Sequence, residues 1–290
     1  MSVAFGSITN LAYNPSTGGV ESFVFTKPTG LTAGDMMVAV MGNNGDSADD
    51  MTAPAGWSTL FSAADGNNYG IRGFCKVADS ADASATDFTF TNSVSVNDSF
   101  VGFLVRLTGD EFAGTANIIS SVDVNNSAAS SHTYTPGLTP TATTSLFILG
   151  TFVRESANGV SNYAITNNNP TWTERTDIAE TSGIDASMGM ATASVSVASN
   201  TGDFTLNTTN SKETIGFLLV VSESVGVNPA PAVITATASV QAPTVTGGSN
   251  ASPAVITATA TVQSPTVTVA EAMWNNQDKN ISTWLNEDKS

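Results

Sequence analysis

The 290-residue sequence predicts an all-β chain, an antiparallel β-sandwich followed by an extended β-repeat tail. Three features predict it. Short runs rich in Val, Thr and Phe alternate with a period of two, which sends successive side chains to opposite faces of a strand. Clusters of Gly, Asn, Asp and Pro separate the runs, as turns require. No long stretch shows a helical period, and about a dozen short strands of this kind pack as two sheets about 10 Å apart.

Taken in order, Val20–Thr26 (VESFVFT) is the first clear strand, followed by a turn over residues 29–35. Met36–Met41 (MMVAVM) is continuously apolar and reads as a central strand. Gly42–Asp50 (GNNGDSADD) is a loop. Pro54-Ala55-Gly56-Trp57 opens the next strand, and Tyr69–Val77 (YGIRGFCKV) follows. An Asp/Ala/Ser loop leads to Asp87–Thr91 (DFTFT), then to Ser99–Leu107 (SFVGFLVRL). The second half echoes the first. Ser145–Val153 matches MMVAVM, Pro170-Thr171-Trp172 matches the Pro…Trp entry, and Asp185–Val197 matches the Tyr69 region. Asp203–Leu206 (DFTL) answers DFTF, and Ile215–Val221 answers VGFLVRL. Trp57 precedes Asp87 by 30 positions and Trp172 precedes Asp203 by 31. The order predicts pseudo-duplicated halves in one sandwich over residues 1–225, within the size range of a single all-β domain.

The tail occupies residues 226–270. It holds two sixteen-residue copies, PAVITATASVQAPTVT from Pro231 and PAVITATATVQSPTVT from Pro253, joined by GGSNAS. Each copy has a small apolar face, carrying Ile234 and Val240 in the first and Ile256 and Val262 in the second. Prolines bracket the strands, where a missing N–H does least harm. Ordering each residue costs about 1–2 kcal/mol of backbone entropy, and methyl-sized side chains return little burial against it. The ribbon therefore orders by docking on other chains or on its own domain. A Thr/Pro-rich stalk is the alternative. Residues 271–290 end the chain with Trp274 and Trp284 in two related Asn/Lys-rich segments, and tryptophans of this kind anchor interfaces. The expectation is a homo-oligomer assembled through Ile234, Val240, Ile256, Val262, Trp274 and Trp284.

Composition narrows the function. Nine Lys+Arg face 25 Asp+Glu, a net charge of −16. Nucleic acid and anionic membrane both need a basic footprint, so neither is an expected partner. No run approaches eighteen apolar residues, so no membrane insertion is expected. The N-terminus lacks a basic region followed by an apolar run, so no secretory signal is read. Charged residues are only 12% of the chain; its polarity comes from Ser, Thr, Asn and Gly.

The segments GDMMVAVMG, APAGWSTLF, YGIRGFCKVADS and GFLVRLTGDE, then TATTSLFILGTF, PTWTERTDIAE and FLLVVSE, resemble a jelly-roll-like β-sandwich module. That module occurs in tailed-phage structural proteins and in secreted bacterial surface proteins. The resemblance spans about Met1 to Val225. Its marks are Gly34-Asp35, Pro54-Ala55-Gly56-Trp57 and Trp172-Thr173-Glu174-Arg175. It implies a non-enzymatic virion surface component (fibre, decoration or tail-associated) with other virion proteins as partners. It carries over no functional residue. A carbohydrate-binding adhesin and a self-polymerising extracellular fibre are the other two function classes.

Chemistry-bearing residues are few. His132, the sole histidine, reads as an exposed loop or strand residue rather than a base. Cys75 alternates within a strand and reads as a buried thiol. One His and one Cys make a zinc site improbable, and no cofactor is implied. Carboxylate groups at Asp79/Asp82/Asp87 and Asp110/Glu111 read as turn residues. Asn43, Asn44, Asp46, Asp49 and Asp50 put hard oxygens at short spacing, which makes calcium the one metal candidate. Tyr69, Tyr134, Tyr163 and Trp172 lie near turns; Tyr69 and Tyr163 are the candidates for stacking on a cell-surface glycan.

Overall fold

The computed structural model describes residues 2–14, 19–45, 51–66, 68–94, 99–141, 144–155, 159–167, 170–182, 185–195 and 197–223. All fall in the first of two units, Met1–Ala232. The repeat tail and the Trp-bearing end, with Ile234, Val240, Ile256, Val262, Trp274 and Trp284, lie outside the described residues, as do Asp46, Asp49 and Asp50.

The fold is all-β and antiparallel. Thirteen strands are described: β1 Ala4–Tyr13, β2 Gly19–Thr26, β3 Met36–Asn44, β4 Ser58–Asp65, β5 Tyr69–Val77, β6 Asp87–Val94, β7 Ser99–Thr108, β8 Ile118–Tyr134, β9 Leu146–Val153, β10 Val160–Ile165, β11 Thr173–Glu180, β12 Ala186–Ser194 and β13 Phe204–Val221. One sheet has the order β1-β7-β3-β5-β4. A second has β10-β13-β9-β12-β11, with β8 also paired to β13. A third is the ribbon β2-β6.

The two large sheets pack face to face. Val38, Val40, Ile71, Phe103 and Val105 of the first meet Ile148, Phe152, Met190, Phe217 and Leu219 of the second. The outer face of each is covered too. Phe23, Phe25, Phe88 and Phe90 of the ribbon pack on Met37, Ala39, Phe74 and Leu104. On the other side, the register of β13 shifts between Asn207 and Thr214. Its first part returns over the sheet, so that Tyr134, Val160, Ile165, Phe204 and Leu206 cover Phe147, Leu149, Leu218 and Val220. The core is thus three apolar layers rather than one. This explains the unbroken apolar runs, because β3 and β9 are buried at every position.

Pairings recur between the sheets. β3 lies between β5 and β7, and β9 lies between β12 and β13. β4 bulges between Thr59 and Phe61 against β5, and β11 bulges between Glu174 and Thr176 against β12. Phe88 pairs with Phe25, and Phe204 pairs with Tyr134. Trp57 and Trp172, at matched positions, are half-buried against the two outer layers.

Three strands had no sequence signal: β1, β8 and β10. β1 is a half-exposed edge strand, and much of β8 is Ser/Asn-rich. The Asp/Ala/Ser loop contains a helix, α1 Ser80–Ser84. Asp79 and Asp82 close its first turn as a reciprocal capping box. Lys76 bridges to Asp82 at 2.7 Å. These carboxylates are structural.

Candidate functional site

Apolar strands that run out into polar residues meet at one pole of the molecule. β3 ends at Asn44, β9 is followed by Arg154-Glu155, β12 is preceded by Asp185, and β13 carries Lys212-Glu213 at its irregular middle. The antiparallel ladders bring them together, since Val153 pairs with both Ser187 and Thr214. They line an open cleft of about 420 Å³.

Asn44 organises it. Its Nδ2 donates to the Asp185 carbonyl at 2.6 Å, and its Oδ1 accepts from Arg154 Nε at 3.2 Å. The Arg154 guanidinium carbon stands 5.7 Å from the centroid of the Tyr69 ring, within the range of a cation–π contact. Lys212 Nζ is 3.0 Å from Glu155 Oε2. That pair is partly exposed and contributes little to stability. Tyr69 stacks on Phe152 at 6.2 Å and donates its hydroxyl to Asn126 Oδ1 at 3.0 Å. Burial, with Asp65 and Glu213 nearby, pushes its phenol well above the ordinary value. The cleft is a fixed array of hydrogen-bonding and charged groups of both signs.

The sequence candidates fare differently. Asn44 is in the cleft, but its oxygen already serves Arg154, and a guanidinium beside it disfavours a calcium ion there. Asn43 is fully buried, with both amide atoms lacking a hydrogen-bond partner. Among the described residues, no group of three or more His, Cys, Asp or Glu side chains is placed to hold a metal. Tyr69 and Tyr163 are buried, so neither offers a ring face to a sugar; each fills the end of an apolar layer. Tyr134 is buried as well. Cys75 is buried, which pushes its thiol up to about 11. Arg154, Asp185, Lys212 and Glu213 were missed. Each sits where a core strand ends or becomes irregular, a position that is visible only once the strands are paired.

His132 is buried in β8 rather than exposed. Its Nε2 is 3.2 Å from Thr208 Oγ1 and its Nδ1 is 3.1 Å from Thr214 Oγ1. Thr214 Oγ1 is also 2.6 Å from the Tyr134 hydroxyl, which lies 3.1 Å from Thr151 Oγ1. Among the described residues, no carboxylate joins this chain of bonds. Burial lowers the imidazole pKa below its ordinary 6.5, partly offset by the Ala129 carbonyl. The unfolded chain therefore takes the proton first. The stabilisation is complete above about pH 6.5 and is lost as pH falls toward the folded value, by at most about 1.4 kcal/mol per pH unit. Asp177, pushed up to about 6, acts with the opposite sign. The urea midpoint is therefore expected to fall more steeply from pH 7 to pH 5 in the native protein than in His132→Gln. Equal slopes would show that His132 is not held neutral.

Comparison of the chain with family models, with curated proteins and with solved structures finds no match.

Proposed function

We propose that the protein is a non-enzymatic structural protein of a phage virion, surface fibre, decoration or tail-associated, which assembles with copies of itself and with other virion proteins through its repeat tail. One observation carries this reading. Both ends of the described chain emerge at one pole, and the polar cleft lies at the other. Val3 N donates to the Thr144 carbonyl at 2.8 Å, and Ser222 N donates to the Asn117 carbonyl at 2.8 Å. Asp110 N donates to Glu223 Oε1 at 2.9 Å. All of these groups lie where β7 and β13 end and β8 and β9 begin. A module held through its chain ends at one pole presents the opposite pole outward. The recurring pairings and matched bulges support a duplicated, jelly-roll-like unit as the origin of the two sheets.

Removing residues 231–290 tests the proposal. The shortened chain is expected to keep its near-ultraviolet circular dichroism and to run as a monomer in light scattering, while the full chain is an oligomer. A shortened chain that still forms the full-length oligomer would sink it.

A carbohydrate-binding adhesin is the second reading, favoured by the outward cleft with its Asn, Arg, Lys and Glu side chains. Binding on a glycan array, lost in Arg154→Ala, would support it over a purely structural role.

A further inference from the structure

Arg154 is fixed in the cleft without being neutralised. Its Nε donates to Asn44 Oδ1 at 3.2 Å, and its guanidinium carbon stands 5.7 Å from the Tyr69 ring centroid. Its backbone N donates to the Glu213 carbonyl at 3.2 Å. The two side chains that hold the guanidinium belong to the core. Asn44 is 2% exposed and donates to the Asp185 carbonyl at 2.6 Å. Tyr69 is fully buried and stacks on Phe152. Its hydroxyl donates to Asn126 Oδ1 at 3.0 Å, and Asn126 Nδ2 donates to Asp65 Oδ1 at 3.2 Å. One edge of the guanidinium therefore serves Asn44 and one face lies toward Tyr69. The end with the two Nη atoms is left for a ligand. That end is the fork that grips a carboxylate through two parallel hydrogen bonds.

The charge census of the cleft agrees. Among the described residues, Lys76, Arg106 and Lys212 each stand within ion-pair reach of a carboxylate, and Arg154 does not. Glu155, Asp185 and Glu213 line the same cleft, yet it is Lys212 that meets Glu155. Ordering a long cationic side chain is costly, and here no described carboxylate offsets that cost. An arginine ordered beforehand does not have to be ordered again when a ligand arrives.

The rest of the lining indicates the kind of molecule. All six lining residues, Asn44, Arg154, Glu155, Asp185, Lys212 and Glu213, are polar. They offer no apolar pocket to a peptide side chain. A carboxylate beside an ammonium suits vicinal hydroxyl groups, which donate to the first and accept from the second. The volume of about 420 Å³ is that of a small-molecule site. The net charge of −16 repels a polyanionic chain, which limits the ligand to few acidic groups.

We propose that the cleft binds a saccharide unit bearing one carboxylate, with the carboxylate on the Arg154 fork and neighbouring hydroxyls on Lys212 and Glu213. This rests on the reading of the cleft as a carbohydrate site and adds which sugars it takes.

The test is an array of glycans ending in a uronic or a sialic acid, each set beside its carboxyl-reduced counterpart and probed with the full chain. The acidic members are expected to bind, and the reduced ones to bind about tenfold more weakly or worse, the scale for a hydrogen bond to a charged group. Binding confined to uronic or to sialic acids supports the proposal and identifies the source of the carboxylate. Arg154→Lys keeps the charge and loses the fork. It is expected to lose the preference for acidic members, with near-ultraviolet circular dichroism unchanged. The reduced glycans decide the matter if Arg154→Lys does not fold. Equal binding of acidic and reduced glycans would overturn the acidic assignment and leave the adhesin reading standing. An acidic preference undiminished in Arg154→Lys would put the site elsewhere and overturn it as well. Binding to no glycan would overturn both, and capture of a peptide by its terminal carboxylate would overturn the sugar.

Discussion

Phe217→Ala is expected to lower the unfolding free energy by about 3–5 kcal/mol, the range for an aromatic deleted from a core. Phe217 is fully buried in β13. Its ring centroid lies 5.8 Å from that of Phe61 and 6.0 Å from that of Phe103, both on the opposite sheet. The ring also lies over Gly150, where a Cβ would come within 2.4 Å of its Cζ. Deleting it opens a void between two sheets that are each pinned on their far side by another layer, so the walls cannot collapse to fill it. Denaturant unfolding is expected to show a lower midpoint with an unchanged slope. Val24→Ala, at a side chain 49% exposed, should stay within about 0.5 kcal/mol. Equal effects from the two substitutions would mean that the central layer is not packed as described.

Asp35→Ala is expected to cost about 3 kcal/mol, the scale for removing one partner of a largely buried ion pair. Asp35 Oδ2 accepts from Arg106 Nε at 2.7 Å, from Thr32 N at 2.7 Å and from Thr32 Oγ1 at 2.8 Å. Its side chain is 8% exposed and that of Arg106 is 19% exposed. The substitution strands a guanidinium and leaves the Thr32 donors unmet. Gly34, with φ +95°, sets the turn that aims the carboxylate, so the Gly-Asp pair acts as a unit. Asp35→Ala combined with Arg106→Met should recover part of the loss, because no charge is then left unpaired. A double variant worse than the sum of the two single ones would refute that account.

The strands most legible in the sequence were those buried on both faces. MMVAVM and SLFILGTFV announce themselves because neither side of β3 or β9 meets water. β1 and β8 carried no such mark; edge position and backbone pairing hold them, with many side chains half-exposed. Tyr69 and Tyr163 looked superficial because Asn and Gly surround them, yet both close off apolar layers. His132 sits among serines, and its buried partners Thr208 and Thr214 arrive from a strand far along the chain. The Gly34-Asp35 mark was visible, but Arg106 lies 71 positions away. The cleft was invisible for the same reason: Asn44 and Lys212 lie on two strands, Arg154 and Asp185 lie just beyond the ends of two others, and only pairing makes them neighbours.

β13 is hydrogen-bonded to β9 along one edge and to β8 along the other over residues 214–221. It runs from the cleft to the pole where the chain departs. A pull exerted at the cleft and resisted at Glu223 would be directed along its axis, so both ladders would share the tension at once. Drawing Val3 and Glu223 apart at their common pole would instead peel the edge strand β1 from β7 one rung at a time. The same molecule is therefore built to be tough under traction from its outward tip and weak against being prised open at its base.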